Sequence, residues 1–301
     1  MPVLVLLSLG ITIGVAVGLL AWRYPRIAKP SSAPAHDAAE KIGETVGRHP
    51  RLRTLLKARL DPELVTGLAL TIALVVVVVG GVLFGVLTYL VRTNAHLAGI
   101  DKGVADWGSR HSSPSSTRVL GDVTQLGSIY VVVVLCVLLV LVETIREKTV
   151  WVVLFVVVVM GGEEVLTLAV KQLVDRLRPT LNPAAATLGP SFPSGHSATS
   201  AAFYATVALL LGRRRPRAVR AVITGLAVGV AVSVAASRVL LDVHWLTDVI
   251  AGLSLGWVWF ALCAIAFGGR LLRFGAAAET AGRTAGSIPR QTHELIRRES
   301  R

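Results

Sequence analysis

Cysteine is nearly absent from this 301-residue chain, which carries only Cys136 and Cys263. Both lie inside apolar runs where no partner is in view, so neither a disulfide framework nor a zinc site is indicated. Acidic residues are scarce too, 18 against 31 Lys and Arg, and charged residues make up only 16% of the chain. Beside 53% hydrophobic residues and a mean hydropathy of +0.66, that shortage of charge excludes an ordinary soluble domain. The chain also has no internal repeat. Its N-terminal run lacks the basic start and small-residue cleavage site of a secretory signal.

What the chain does contain is long apolar runs. About 20 such residues cross a hydrocarbon core of roughly 30 Å as a helix. Seven runs qualify, near 3–22, 65–91, 122–143, 150–172, 197–212, 219–237 and 245–267, the fifth being short. The expected fold class is all-α, a polytopic membrane helix bundle with a six-helix core and one extra N-terminal transmembrane helix. Residues 1–22 read as an uncleaved anchor and 23–61 as a basic linker punctuated by Pro25, Pro30, Pro34 and Pro50, with one short surface helix near Arg51 to Leu60. Residues 62–267 form the core and 268–301 a basic tail. The loop 92–118, with its Ser112-Ser113-Pro114-Ser115-Ser116 stretch, reads as irregular or partly ordered.

A formal charge of +13 would suit nucleic acid, but the positions of the charges argue for orientation instead. Nine Lys and Arg lie in 23–61, two in 144–149, five in 213–220 and seven in 268–301, so 23 of 31 fall on one side of a seven-span chain. The positive-inside rule makes that side cytoplasmic and the N-terminus external. Runs such as Arg213-Arg214-Arg215-Pro216-Arg217 then sit beside anionic headgroups, and no nucleic acid partner is implied. The remaining eight basic residues include Lys171, Arg176, Arg178 and Arg238, which border span ends.

Three clusters stand at those ends. Lys171 and Arg178-Pro179 put two cations seven residues apart, to converge on an anion or to serve as snorkelling anchors. Pro193-Ser194-Gly195-His196 opens a helix, where free N–H groups and the helix dipole favour phosphate, although an interfacial histidine at a capped helix start reads equally well. Ser237-Arg238 is followed by His244 and then Asp248. The last pair is one helical turn apart, so the carboxylate can hold one imidazole nitrogen and leave the other free to attack.

In this order and spacing the clusters resemble the type 2 phosphatidic acid phosphatase superfamily, with signatures KxxxxxxRP, PSGH and SRxxxxxHxxxD, all complete between residues 171 and 248. The resemblance covers about 65–267. It implies a lipid phosphate or diphosphate phosphatase acting through a phosphohistidine, on a substrate of the undecaprenyl diphosphate, phosphatidylglycerophosphate or phosphatidate type. His244 would be the nucleophile, His196 the proton donor and Asp248 the orienting carboxylate. Lys171, Arg178, Arg238, Ser194 and the N–H of Gly195 would hold the phosphate. No metal or other cofactor is needed, in keeping with the absence of a His, Cys and carboxylate cluster on the outer face. The partners are lipid phosphate and membrane lipids.

The same site would also serve phosphotransfer, or a binder or transporter without catalysis. The related vanadium haloperoxidases share the anion pocket but are soluble. Glu163 and Glu164 lie within the fourth span and should face the bundle. Glu164, two turns before Lys171, reads equally as pointing toward the site to pair with Lys171 or Arg238 and as making a structural polar contact, while Asp175, Arg176 and Asp242 read as supporting or surface charges. An Ala-, Val-, Arg- and Gly-rich composition suits a bacterial cell membrane with the site facing outside and the C-terminus cytoplasmic.

Overall fold

A computed structural model describes residues 1–23, 66–93, 95–147, 150–180, 182–213 and 215–286. The expected short helix in the linker lies outside these. Among the described residues nine α-helices follow in chain order: α1 (Pro2–Arg23), α2 (Thr66–Thr93), α3 (Ala95–Arg110), α4 (Pro114–Gln125), α5 (Ile129–Glu147), α6 (Val150–Val174), α7 (Gly195–Gly212), α8 (Arg217–Leu240) and α9 (Leu246–Gly286). A 3-10 turn (Pro183–Leu188) stands between α6 and α7. The expected all-α membrane bundle is what forms.

Six helices among the described residues are long and apolar enough to cross a membrane: Pro2–Trp22, Leu70–Thr93, Ile129–Arg146, Val150–Val174, Arg217–Leu240 and Leu246–Phe267. The protein is an integral membrane protein. The outer faces of α2 and α5 leave Val78, Val82, Val134 and Leu138 exposed, as lipid-facing helices do. The seventh expected run, 197–212, becomes α7, whose 18 residues reach about 27 Å. It is too polar for a lipid-facing helix because it lies inside the bundle, against α6, α8 and α9. Ser197, Thr199, Ser200 and Thr206 are all buried there.

Two other expectations are corrected. The loop 92–118 is not irregular but almost wholly helical. Ser113 caps α4: its hydroxyl accepts from the Ser116 N–H, Ser116 Oγ accepts from the Ser113 N–H, and Pro114 begins the helix. The serine-rich stretch is thus a helix start. The third span begins at Ile129 rather than 122, because residues 122–125 belong to α4 and the chain turns at Leu126–Ser128.

The N-terminal helix is built into the bundle. It runs along α8, where Gly10, Gly14 and Gly18 face Gly225, Gly229 and Ser233. This small-residue spacing lets two backbones approach closely. At one end Leu6 is sealed with Leu120 and Leu240, against Trp107 and Val123.

Candidate active site

The site residues gather at the end of the bundle that α3 and α4 cover. Each cluster is held by a local element. Lys171 closes α6, and its Nζ donates to Pro190 O at 2.8 Å. Beyond α6 the chain turns at Asp175 (φ 46°) and crosses the start of α9. Trp245 Nε1 donates to Leu177 O at 2.8 Å, Asn182 Nδ2 to Leu241 O at 3.1 Å, and the Ser194 N–H to Asp248 O at 3.0 Å. This strap brings Arg178 over the turn between α8 and α9.

Arg178 donates through Nε to Gly189 O at 2.8 Å and through Nη1 to Val243 O at 2.8 Å. The same Nη1 lies 3.1 Å from His244 Nε2. A guanidinium has no lone pair to offer, so Nε2 must be the acceptor and the ring proton must sit on Nδ1. Nδ1 stands 3.5 Å from Asp248 Oδ2 and makes no hydrogen bond at that separation. The imidazole is almost fully buried between α8 and α9. Burial holds its pKa down to about 4; Arg178 and Arg238 add to the fall, and Asp248 opposes it.

Arg238 ends α8 beneath α4, where its Nη1 donates to Thr124 Oγ1 at 3.2 Å and its buried Nε has no partner among the described residues. Its carbonyl takes the N–H groups of Val243 and His244, each at 3.2 Å, which fixes the α8–α9 turn. Asp242, at φ 55° in that turn, is partly buried, and burial with the nearby Asp106 raises its carboxyl to about 6.

Ser194 and Gly195 open α7. Ser194 is buried and its Oγ accepts from Ser197 Oγ at 2.9 Å. A Cβ at Gly195 would touch only Thr167 Cγ2, at 3.8 Å, so packing within the chain does not demand glycine there. His196 follows, with Arg238, His244, Arg178 and Lys171 close enough to depress its basicity. Burial is the larger cause, and together they bring it to about 3.

The eight residues expected in the site therefore converge. Glu164 lies close enough to Lys171 to act on it electrostatically, but among the described residues it makes no ion pair with Lys171 or Arg238, which bond elsewhere. The carboxyl sealed into the bundle is Glu163, which accepts from Thr167 Oγ1 at 2.8 Å and Thr199 Oγ1 at 3.1 Å. Sequence reasoning also missed Asp101, Thr124 and Thr247. Arg176 is no surface charge: Nη1 donates to Asp248 Oδ1 at 2.5 Å and Thr247 Oγ1 at 2.7 Å, and Nη2 to Asp101 Oδ2 at 2.7 Å. The Thr124 and Asp101 signals were hidden because each lies on a helix more than 100 residues from its partner.

A membrane-embedded helical bundle with three clustered cations, a helix N-terminus and a carboxylate-backed histidine defines a class of protein that handles phosphate within the bilayer. Residues 151–271 match the PAP2 superfamily. The chain is 31% identical over 184 residues to phosphatidylglycerophosphatase B of Bacillus subtilis (strain 168), which spans 60% of this chain and 88% of that protein. It is 42% identical over 72 residues to lipid A 1-phosphatase of Rhizobium johnstonii, covering a quarter of that protein (25%). A crystal structure of a transmembrane PAP2-type phosphatidylglycerolphosphate phosphatase from Bacillus subtilis superimposes with a TM-score of 0.59 at 29% identity, covering 65% of this chain and 97% of that one. The chain belongs to the PAP2 superfamily. It is a membrane phosphatase.

Proposed function

We propose that the protein hydrolyses the phosphate or diphosphate ester of a membrane lipid, with His244 Nε2 as nucleophile and the site on the outer face of the membrane. The carrying observation is the contact of Arg178 Nη1 with His244 Nε2 at 3.1 Å, which requires a lone pair on Nε2. The same guanidinium that would bind phosphate therefore stands at the attacking atom. Lys171, Arg178 and Arg238 hold the phosphate oxygens, joined by Ser194 and the N–H of Gly195, and they neutralise the charge that builds as phosphorus is attacked. The unpartnered Nε of buried Arg238 supports this, since a buried donor needs an acceptor.

Attack forms an Nε2–P bond and breaks the P–O bond to the lipid. The departing oxygen takes a proton from His196, and Asp248 stabilises the positive charge now shared by the His244 ring. His196, left neutral, removes a proton from water as the water oxygen attacks phosphorus; the Nε2–P bond breaks, its electron pair returns to Nε2, and inorganic phosphate leaves. His196 is poorly basic, through burial first and the surrounding cations after it; a bound phosphate anion offsets those cations and raises its affinity for the proton. Lipids of the phosphatidylglycerophosphate and lipid A phosphate kinds, named for the relatives, are the first substrates to try, with undecaprenyl diphosphate and phosphatidate beside them.

Purified protein in detergent with EDTA is expected to release phosphate from at least one of these lipids. His244→Ala is expected to lower release by about 10³-fold or more. Release that survives the substitution, or that requires an added divalent metal, overturns the mechanism.

A further inference from the structure

The carboxylate behind the nucleophile is itself held by a cation from outside its own helix. Asp248 Oδ1 accepts from Arg176 Nη1 at 2.5 Å, and Oδ2 accepts from the Trp245 N–H at 3.0 Å. Arg176 in turn bridges to Asp101 through Nη2 at 2.7 Å, its guanidinium carbon lying 5.5 Å from the centre of the Trp245 ring. Asp101 closes the loop: Oδ1 accepts from the Thr247 N–H at 3.0 Å and Oδ2 from Thr247 Oγ1 at 2.7 Å. Thr247 lies in the first turn of α9, where backbone N–H groups have no partner within the helix. Asp101 thus caps, from α3, the helix that begins beside His244 and carries Asp248.

We propose that Asp101 is a positioning residue: through Arg176 and Thr247 it fixes the Asp248 carboxylate and so aims the His244 ring. The inference rests on the lipid phosphatase reading above. Two carboxylates on one guanidinium leave Arg176 a single rotameric solution, because Nη1 and Nη2 point in fixed directions. Asp101 is only 1% exposed and Asp248 0%, so neither has water as an alternative partner. A freed Arg176 follows Asp248 as a loose pair, and the ring of His244 loses its reference for in-line attack. Among the described residues, the proposed phosphate-holding groups Lys171, Arg178 and Arg238 share no hydrogen bond or ion pair with Asp101, which bonds Arg176 and Thr247. Positioning and anion binding are therefore separable.

Asp101→Asn keeps an acceptor for the Thr247 N–H but removes the negative charge that faces Arg176. It is expected to lower kcat about 10- to 100-fold, as loss of supporting contacts does at other sites, with KM within about threefold of wild type. Binding of inorganic phosphate to the full chain in detergent is expected to stay within about twofold. Thr247→Val, which keeps the side-chain shape and removes the hydroxyl between Asp101 and Arg176, is expected to act in the same direction. Adding Asp101→Asn to Arg176→Lys is expected to cost no more than about twofold beyond Arg176→Lys alone, because the two share one path. Unchanged kcat in both Asp101→Asn and Thr247→Val overturns the inference. So does a fall in kcat that tracks loss of phosphate binding and of thermal stability together. Wild-type turnover with an indifferent Asp101→Asn sinks this inference alone, whereas wild-type protein that releases phosphate from no lipid sinks the function as well.

Discussion

At the scale of single residues, the proposed chemistry turns on a histidine that must be neutral to attack. His244 is held down to about 4, by burial first and by Arg178 and Arg238 after it. The sign follows directly. Above about 4 the ring is neutral and Nε2 keeps its lone pair; as pH falls through that value the nucleophile is lost. Arg178→Gln removes a cation that contributes to the depression, so the ring becomes more basic and the acid limb of kcat/KM should move to higher pH, alongside an overall loss of about 10²- to 10³-fold. The substrate phosphate titrates identically in both proteins, so comparing the two profiles isolates the ring. An acid limb at the same pH in both would mean that Arg178 does not set the state of His244. The motif residues were legible in the sequence because each cluster is local: His244 and Asp248 share a helical turn, and Ser194 to His196 open one helix. Asp101 was not legible, since its partner Thr247 is 146 positions away and only folding joins them.

At the scale of elements, hydropathy identified the spans that face lipid and also the short run 197–212, which forms α7 inside the bundle. The cap of α4 was present as Ser113-Pro114 with Ser116, yet the serine run masked it as a loop. The pairing of α1 with α8 was half legible: Gly10, Gly14 and Gly18 recur every four residues, but nothing local says which helix they meet. At Gly14 the fit is tight enough to test. A Cβ there would lie 2.6 Å from Gly225 O, a backbone atom with nowhere to move. Gly14→Leu should therefore push α1 off α8 and lower stability by about 1 to 3 kcal/mol, read as earlier thermal unfolding in detergent. Gly81→Leu is the control, because a Cβ at Gly81 meets nothing within 4 Å. Equal effects of the two substitutions would show that bulk or propensity, and not the helix contact, is responsible. Because α8 also ends in Arg238 and α1 reaches Leu120 of α4, loosening α1 should reach the floor of the site.

At the scale of the whole molecule, two asymmetries coincide. The site, α3, α4 and the 175–194 strap share one end of the bundle, while Arg213 and Arg146 meet the buried Glu143 toward the other, at 2.6 and 3.2 Å. By the order of the seven expected spans, most of the surplus positive charge belongs with Arg213, on the side that the positive-inside rule would make cytoplasmic. The charge bias itself is legible from sequence because it needs no tertiary contact, only the order of spans. On the positive-inside rule we propose that α4 is external and the start of α8 internal. Single cysteines placed at the exposed Ser115 and Ala218, in a background lacking Cys136 and Cys263, separate the possibilities. A membrane-impermeant maleimide applied to intact cells should label Ser115→Cys and spare Ala218→Cys until the membrane is opened. The reverse pattern would put the site on the cytoplasmic face. A lipid phosphate would then have to be drawn from the inner leaflet, and the surplus of Arg and Lys would need a reason other than orientation.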